Sequence, residues 1–171
     1  MSAAPLRFEA EDGAFAVELD AAALGSLGAD APADSPWTLT SAPDWNAYEA
    51  LRLLAAVFAD GSVAALVALR PRGAQGHDAD GVTAVLVDRG TSVESALEAL
   101  VSTELDGDSR VRRVGVELWT SEEPPPRRLA ADRTHTARSD AGGLVRESAL
   151  MAARLDGETG TAVFEVLRPA D

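Results

Sequence analysis

Asp-Gly recurs five times along the chain, at Asp12-Gly13, Asp60-Gly61, Asp80-Gly81, Asp106-Gly107 and Asp156-Gly157, and most copies are flanked by apolar or alternating segments. A tight hairpin needs positive φ in its loop, which Gly adopts freely and Asp tolerates, so this dipeptide between strand-like runs marks a hairpin by mechanism. Repeated along one chain, it points to a fold built mainly from antiparallel β-hairpins. The turns join residues 7–11 to 14–19, 51–58 to 63–70, and 151–155 to 159–168.

Alternation supports two strands directly. Ala162, Phe164 and Val166 fall on one face while Thr161 and Glu165 fall on the other, as a half-buried strand requires. Val114, Val116 and Leu118 repeat the pattern with Arg113, Gly115 and Glu117 between them. Two segments also carry helix signals. Residues 43–59 have helix-favouring composition, with Ser41 placed to cap and Gly61 to stop, although the Asp60-Gly61 turn favours a strand after Tyr48. In residues 92–101 the signal is Thr91 and Glu94 at capping-box spacing in front of Ala96, Leu97 and Leu100. Loops are expected at 29–36, at 122–128 around Pro124-Pro125-Pro126, and at 134–143, which is polar and ends in Gly142-Gly143. The expectation is a single domain over residues 1–171, mainly β, an antiparallel barrel or sandwich with at most one or two short helices.

Composition removes several function classes. Fifteen basic against 28 acidic residues give a net charge of −13, which repels phosphate backbones and anionic lipid headgroups, so neither nucleic acid nor a membrane is expected as partner. Every basic side chain other than the two histidines is Arg, and Lys, Ile and Cys are absent together, a bias of GC-rich coding rather than of site chemistry. Without cysteine there is no disulfide, thiolate nucleophile or Cys-ligated metal, and with only two histidines and no HExxH or EF-hand pattern neither a metal nor another cofactor is expected. Residues 1–5 carry no basic segment leading into an apolar one, and a cytoplasmic location is expected.

Three stretches carry a resemblance. Residues 45–89, with the apolar hairpin around Asp60-Gly61-Ser62 and the Gly-rich loop Arg70-Pro71-Arg72-Gly73-Ala74-Gln75-Gly76-His77, resemble a central portion of the lipocalin-like hydratase superfamily, which includes the carotenoid 1,2-hydratases. Residues 105–114 followed by Glu117-Leu118-Trp119 resemble a turn and strand of its second half, and residues 155–165 its last hairpin. Members usually contain two lipocalin-like halves and an Arg-Asp-His-Ser-Trp-type motif; this chain has room for one half and retains only Asp44-Trp45 of the motif. The resemblance implies a lipocalin-like barrel holding a small, largely apolar molecule, with cofactor-independent hydration, isomerisation or cyclisation as the implied chemistry.

The candidate chemistry is sparse. His77 shares its loop with Arg70, Arg72, Asp78 and Asp80, an arrangement suited to a general base oriented by Asp78 with an arginine holding an anion, or simply to a solvated connection. His135 could serve as an acid or base on a sheet face opposite Thr134 and Thr136, or be a partly exposed strand residue. Glu117, Glu147 and Glu165 lie in expected strands, where an inward-facing pair could divide acid and base roles. Gly73 and Gly76 do not make a phosphate loop, since there is no Lys and no GxGxxG, and Gly25-Ser26-Leu27-Gly28 lacks nucleophile-elbow spacing. The candidate proton carriers are therefore His77, His135 and Glu117, and the candidate ligand contacts at a barrel mouth are Trp45, Tyr48, Arg72 and Trp119. Phe58 and Phe164 read as core. The competing expectation is a non-enzymatic protein that forms a homodimer or hetero-oligomer through a sheet face, because both faces of residues 53–69 are apolar.

Overall fold

The computed structural model describes residues 5–9, 15–24, 35–76, 80–88, 92–122 and 125–171. In chain order these form β1 (Leu6–Glu9), β2 (Ala16–Leu19), one helical turn α1 (Ala21–Leu24), β3 (Trp37–Ser41), β4 (Tyr48–Phe58), β5 (Val63–Pro71), β6 (Gly81–Asp88), β7 (Ser92–Ser95), β8 (Glu98–Leu105), β9 (Val111–Trp119), β10 (Arg127–Ala141), β11 (Leu144–Leu155) and β12 (Glu158–Pro169). The first three strands make a small sheet, and the other nine make a second sheet in the order β7-β6-β5-β4-β12-β11-β10-β9-β8. The fold is mainly β and antiparallel, as the hairpin series predicts. Among the described residues no helix is long and apolar enough to cross a membrane.

The large sheet curls into a barrel-like wall. Its last strand, β12, pairs with its first, β4, from Gly160↔Phe58 to Leu167↔Leu51. Its two edges, β7 and β8, are halves of one strand bent at Ala96 and Leu97. The Ala96 amide donates to Ala84 O of β6 at 2.9 Å, while the Leu97 amide donates to Trp119 O of β9 at 2.8 Å, so the bend carries the chain from one edge to the other. Counting β7 and β8 as one bent strand, the nine strands give the wall eight staves, a number at which the interior is either filled by side chains or holds one small ligand.

Here side chains fill the interior. Small residues such as Ala56, Ala64, Ala84, Ala131 and Ala153 bring the staves close, and Phe58, Leu66, Met151, Leu118 and Phe164 occupy the space between them. A second apolar cluster lies outside the wall, where Leu51, Leu53, Val67, Val163 and Leu167 are covered by Phe8, Val17, Leu19, Leu24 and Trp37 of the small sheet and α1. The Phe8 and Trp37 rings sit 5.6 Å apart within it. Strands β4, β5 and β12 are thus buried on both faces. This corrects the half-buried reading of the last strand, whose second face also holds buried Val163 and Glu165. It also accounts, inside one chain, for the two apolar faces of 53–69 that suggested an oligomeric sheet interface.

Two segments with competing signals resolve as strand, and one expected loop is overturned. Residues 43–59 form a turn and then β4, and residues 92–101 form β7 and the start of β8, because ladder pairing on both sides outweighs local helix propensity. Residues 134–141 belong to β10 rather than to a loop: the polar run alternates between the solvent and the barrel mouth, after a bulge between Arg133 and His135. The Asp-Gly turns divide by role. Asp156 (φ 48) and Gly157 (φ 91) make the primed turn between β11 and β12, and Gly61 (φ 86) the turn between β4 and β5. Asp80-Gly81 instead opens β6, with the Asp80 carboxylate fully buried. Asp12-Gly13 lies outside the described residues.

Candidate functional site

One end of the barrel, the one carrying the turns at 71–76, 106–110 and 142–143, is charged where the rest of the interior is apolar. The change occurs at one level of the wall. Reading across paired strands, Val82, Ala68, Arg52, Val166, Glu147 and Arg138 are successive ladder neighbours facing inward. Three of these six are charged, one layer above Leu54, Leu66 and Phe164.

On the β10–β12 side of this end lies a cavity of about 510 Å³. Phe164, Val166 and Ala149 form its apolar floor, and Arg138, Glu147 and Arg168 its wall. The turn 108–111 closes the facing side and brings in Arg110. Glu147 Oε1 lies 2.7 Å from Arg168 Nη2 and 3.7 Å from Arg138 Nη1. The facing turn is held by Asp106, whose carboxylate accepts from the amides of Asp108 (2.9 Å) and Arg110 (3.0 Å) and from Arg133 Nη1 of β10 (2.7 Å).

The Arg133 hydrogen bond, followed by these backbone donors, holds the Asp106 carboxyl down at about 2, from an ordinary 3.8. A depressed carboxylate stabilises the fold above its unfolded value and loses that contribution as pH falls from about 3.8 toward 2. In a carbon-detected NMR titration Asp106 should show its midpoint near 2, and Arg133→Gln should move it back toward the ordinary carboxylate range. An unchanged midpoint in the variant would show that Arg133 does not set it.

The β4–β6 side of the same end holds a buried ion cluster. The Asp80 carboxylate, with no exposed surface, pairs with Arg52 and, at 3.0 Å, with Arg70 Nη1. Arg70 also reaches Glu49 at 3.0 Å and donates to Ala74 O (2.9 Å) and Gly76 O (3.0 Å). The Gly-rich loop therefore wraps its carbonyls around a cation, the opposite of a phosphate cradle. Burial, then repulsion from Arg70, pulls the Arg52 guanidinium down to about 10.

The structure distributes the sequence candidates widely. His77 and Asp78 lie outside the described residues. His135 pairs with Leu150 on the outer face, exposed, with Nδ1 3.2 Å from Thr134 Oγ1. Glu117 is also on the outer face, 3.4 Å from Arg128 Nε. From Arg128 to His135 is seven residues of strand, so His135 and Glu117 stand roughly 20 Å apart. Arg72 ties down the 44–47 turn by donating to Trp45 O at 2.6 Å, while Trp45 and Tyr48 pack against the outer apolar cluster. Trp119 ends β9 at the far end of the barrel. Of the three strand carboxylates, Glu147 lines the cavity. Glu165 is buried outside the wall, where it accepts from Ser35 (2.6 Å), Ser148 (3.0 Å) and Arg146 (3.1 Å) and anchors the segment entering β3.

Sequence reasoning missed Arg110, Arg138 and Arg168. Arg168 was within reach, because it continues the alternation of Phe164 and Val166; Arg138 was hidden by the bulge. A second concavity of about 560 Å³, where Ser102, Gly115 and Ala130 leave the outer wall of β8–β10 low, has as its charged groups only Glu117 and Arg128, which pair with each other. Among the described residues no three His, Asp or Glu side chains converge as metal ligands do.

No protein-family model matches the chain, and no curated protein matches it. Among solved structures it is similar to one described as the crystal structure of CghA, with 14% identity and a TM-score of 0.47 over 79% of this chain and 44% of that one. The chain thus spans less than half the length of that protein, and the likeness assigns it neither a family nor an activity.

Proposed function

We propose that the protein is a small-molecule-binding barrel whose ligand enters at the charged end and rests its apolar part on Phe164, Val166 and Ala149. The observation that carries this reading is the cavity itself. At about 510 Å³ it falls within the size range of small-molecule sites, and it combines an apolar floor with a few convergent polar groups, the usual make-up of such sites. The rest of the interior is filled by side chains, so the ligand sits in the mouth rather than deep in the barrel. Binding is favoured over acid/base catalysis because His135 and Glu117 face outward and far apart, which leaves Glu147, engaged by two arginines, as the one strand carboxylate lining the cavity.

A neutral apolar fluorophore tests the cavity without involving its charges. N-phenyl-1-naphthylamine should bind saturably, one per chain, with a blue-shifted rise in emission. Ala149→Phe and Val166→Trp, which place bulk on the floor, should each weaken it at least tenfold. Wild-type binding in both variants, or no saturable signal in the parent, overturns the proposal.

A further inference from the structure

We infer that the ligand of this cavity carries a carboxylate, held by arginines that line it, Arg110, Arg138 and Arg168; the inference rests on the cavity being a binding site. The chain as a whole is strongly acidic, yet the side chains lining this cavity are three arginines against two carboxylates, Asp108 and Glu147. Arg138 and Arg168 are already engaged, by Glu147 and, for Arg138, also by Asp140 on the rim at 3.5 Å. Arg110 has no ion-pair partner among the described residues, so one lining guanidinium is left for a ligand, which a monoanion matches better than a phosphate dianion.

Glu147 shows what these groups accept. Its carboxylate lies between Arg138 and Arg168, on neighbouring strands of the same wall, and so already occupies the position of a bound anion. A planar guanidinium offers paired donors that match a carboxylate, and two of them meet here beside an apolar floor. A ligand carboxylate competes with Glu147 for Arg168 and gains Arg110 from the facing turn, whose position the Asp106–Arg133 pair fixes in advance. The substrate class that follows is a small amphiphile with one carboxylate and an adjoining aryl or alkyl part.

The test compares 4-phenylbutyrate, 4-phenylbutanol and 4-phenylbutyl phosphate by amide chemical shifts of the full chain. The butyrate should bind at least tenfold more tightly than the alcohol, shifting the amides of Arg110, Ala149 and Phe164. Arg110→Gln and Arg168→Gln should each weaken the butyrate threefold or more and leave the alcohol unchanged. Glu147→Gln should tighten the butyrate by releasing both arginines, an effect no purely structural role produces. Equal binding of butyrate and alcohol overturns the carboxylate inference while leaving the cavity reading standing, tighter binding of the phosphate reassigns the anion, and no shifts with any of the three overturn both readings.

Discussion

Gly160→Ala should lower the stability of the fold by about 3 kcal/mol, the upper end of what overpacking usually costs, and the melting temperature by roughly 6–12 °C. A Cβ at Gly160 would lie 2.3 Å from Val57 O, 2.7 Å from Phe58 Cδ1 and 3.0 Å from Phe58 Cα. Two of these atoms belong to the β4 backbone and cannot rotate away, so the strands themselves must part. They would part at the wrong place: Gly160↔Phe58 is the first rung of the β12–β4 pairing that closes the barrel, and Ala59 N donates to Thr159 O at 3.0 Å beside it. Gly115→Ala is the matched control, because its Cβ would meet only Ser102 Oγ, at 3.0 Å, and a serine side chain can turn. Urea denaturation of the two variants decides the matter. If Gly160→Ala unfolds within about 0.5 kcal/mol of the parent, the range of an ordinary surface substitution, the close approach does not constrain the barrel as described.

Gly160 also shows why the fold was more legible than the site. Turn chemistry and alternation act over a few residues, so the hairpins at Asp60-Gly61 and Asp156-Gly157 and the alternation of β9 can be read from the sequence. Closure acts between Phe58 and Gly160, about a hundred residues apart, and leaves no local mark beyond a glycine that needs no unusual φ. The helix signals in 92–101 were real as propensities, but this segment bridges two sheet edges, and its pairing with β6 at one end and β9 at the other decided its form. The site depended on the same long-range information. Arg168 shares parity with Phe164, yet Arg138 reaches the cavity only because β10 is bulged after Arg133, and Arg110 only because the β8–β9 turn folds over the mouth. The aromatic residues proposed for the mouth were placed by their neighbourhood to polar loops; the hairpin of β1 and β2 is legible in the sequence, but not that it joins β3 to cover the outside of the wall, where Trp45 and Tyr48 find a closer apolar surface.

That same charged end supplies the other large effect. Asp80→Ala should cost about 3–5 kcal/mol, because it removes the buried carboxylate that two arginines share and leaves the 8% exposed Arg52 side chain uncompensated. The loss should exceed that of Arg52→Leu. Without Arg52, Asp80 keeps Arg70 at 3.0 Å, and a side chain whose guanidinium is already strained by burial is replaced by an apolar one of fitting size. Without Asp80, Arg52 and Arg70 face each other directly, and their repulsion, which already depresses Arg52, loses the anion that offset it. Arg52 Nε is buried without a hydrogen-bond partner even in the intact cluster, so Asp80 bears most of the compensation there. Guanidinium denaturation of both variants gives the order. A cost for Asp80→Ala at or below that for Arg52→Leu would mean that the segment 72–76 relaxes to hydrate the arginines, and that this end of the barrel is softer than its hydrogen bonds to Ala74 and Gly76 imply.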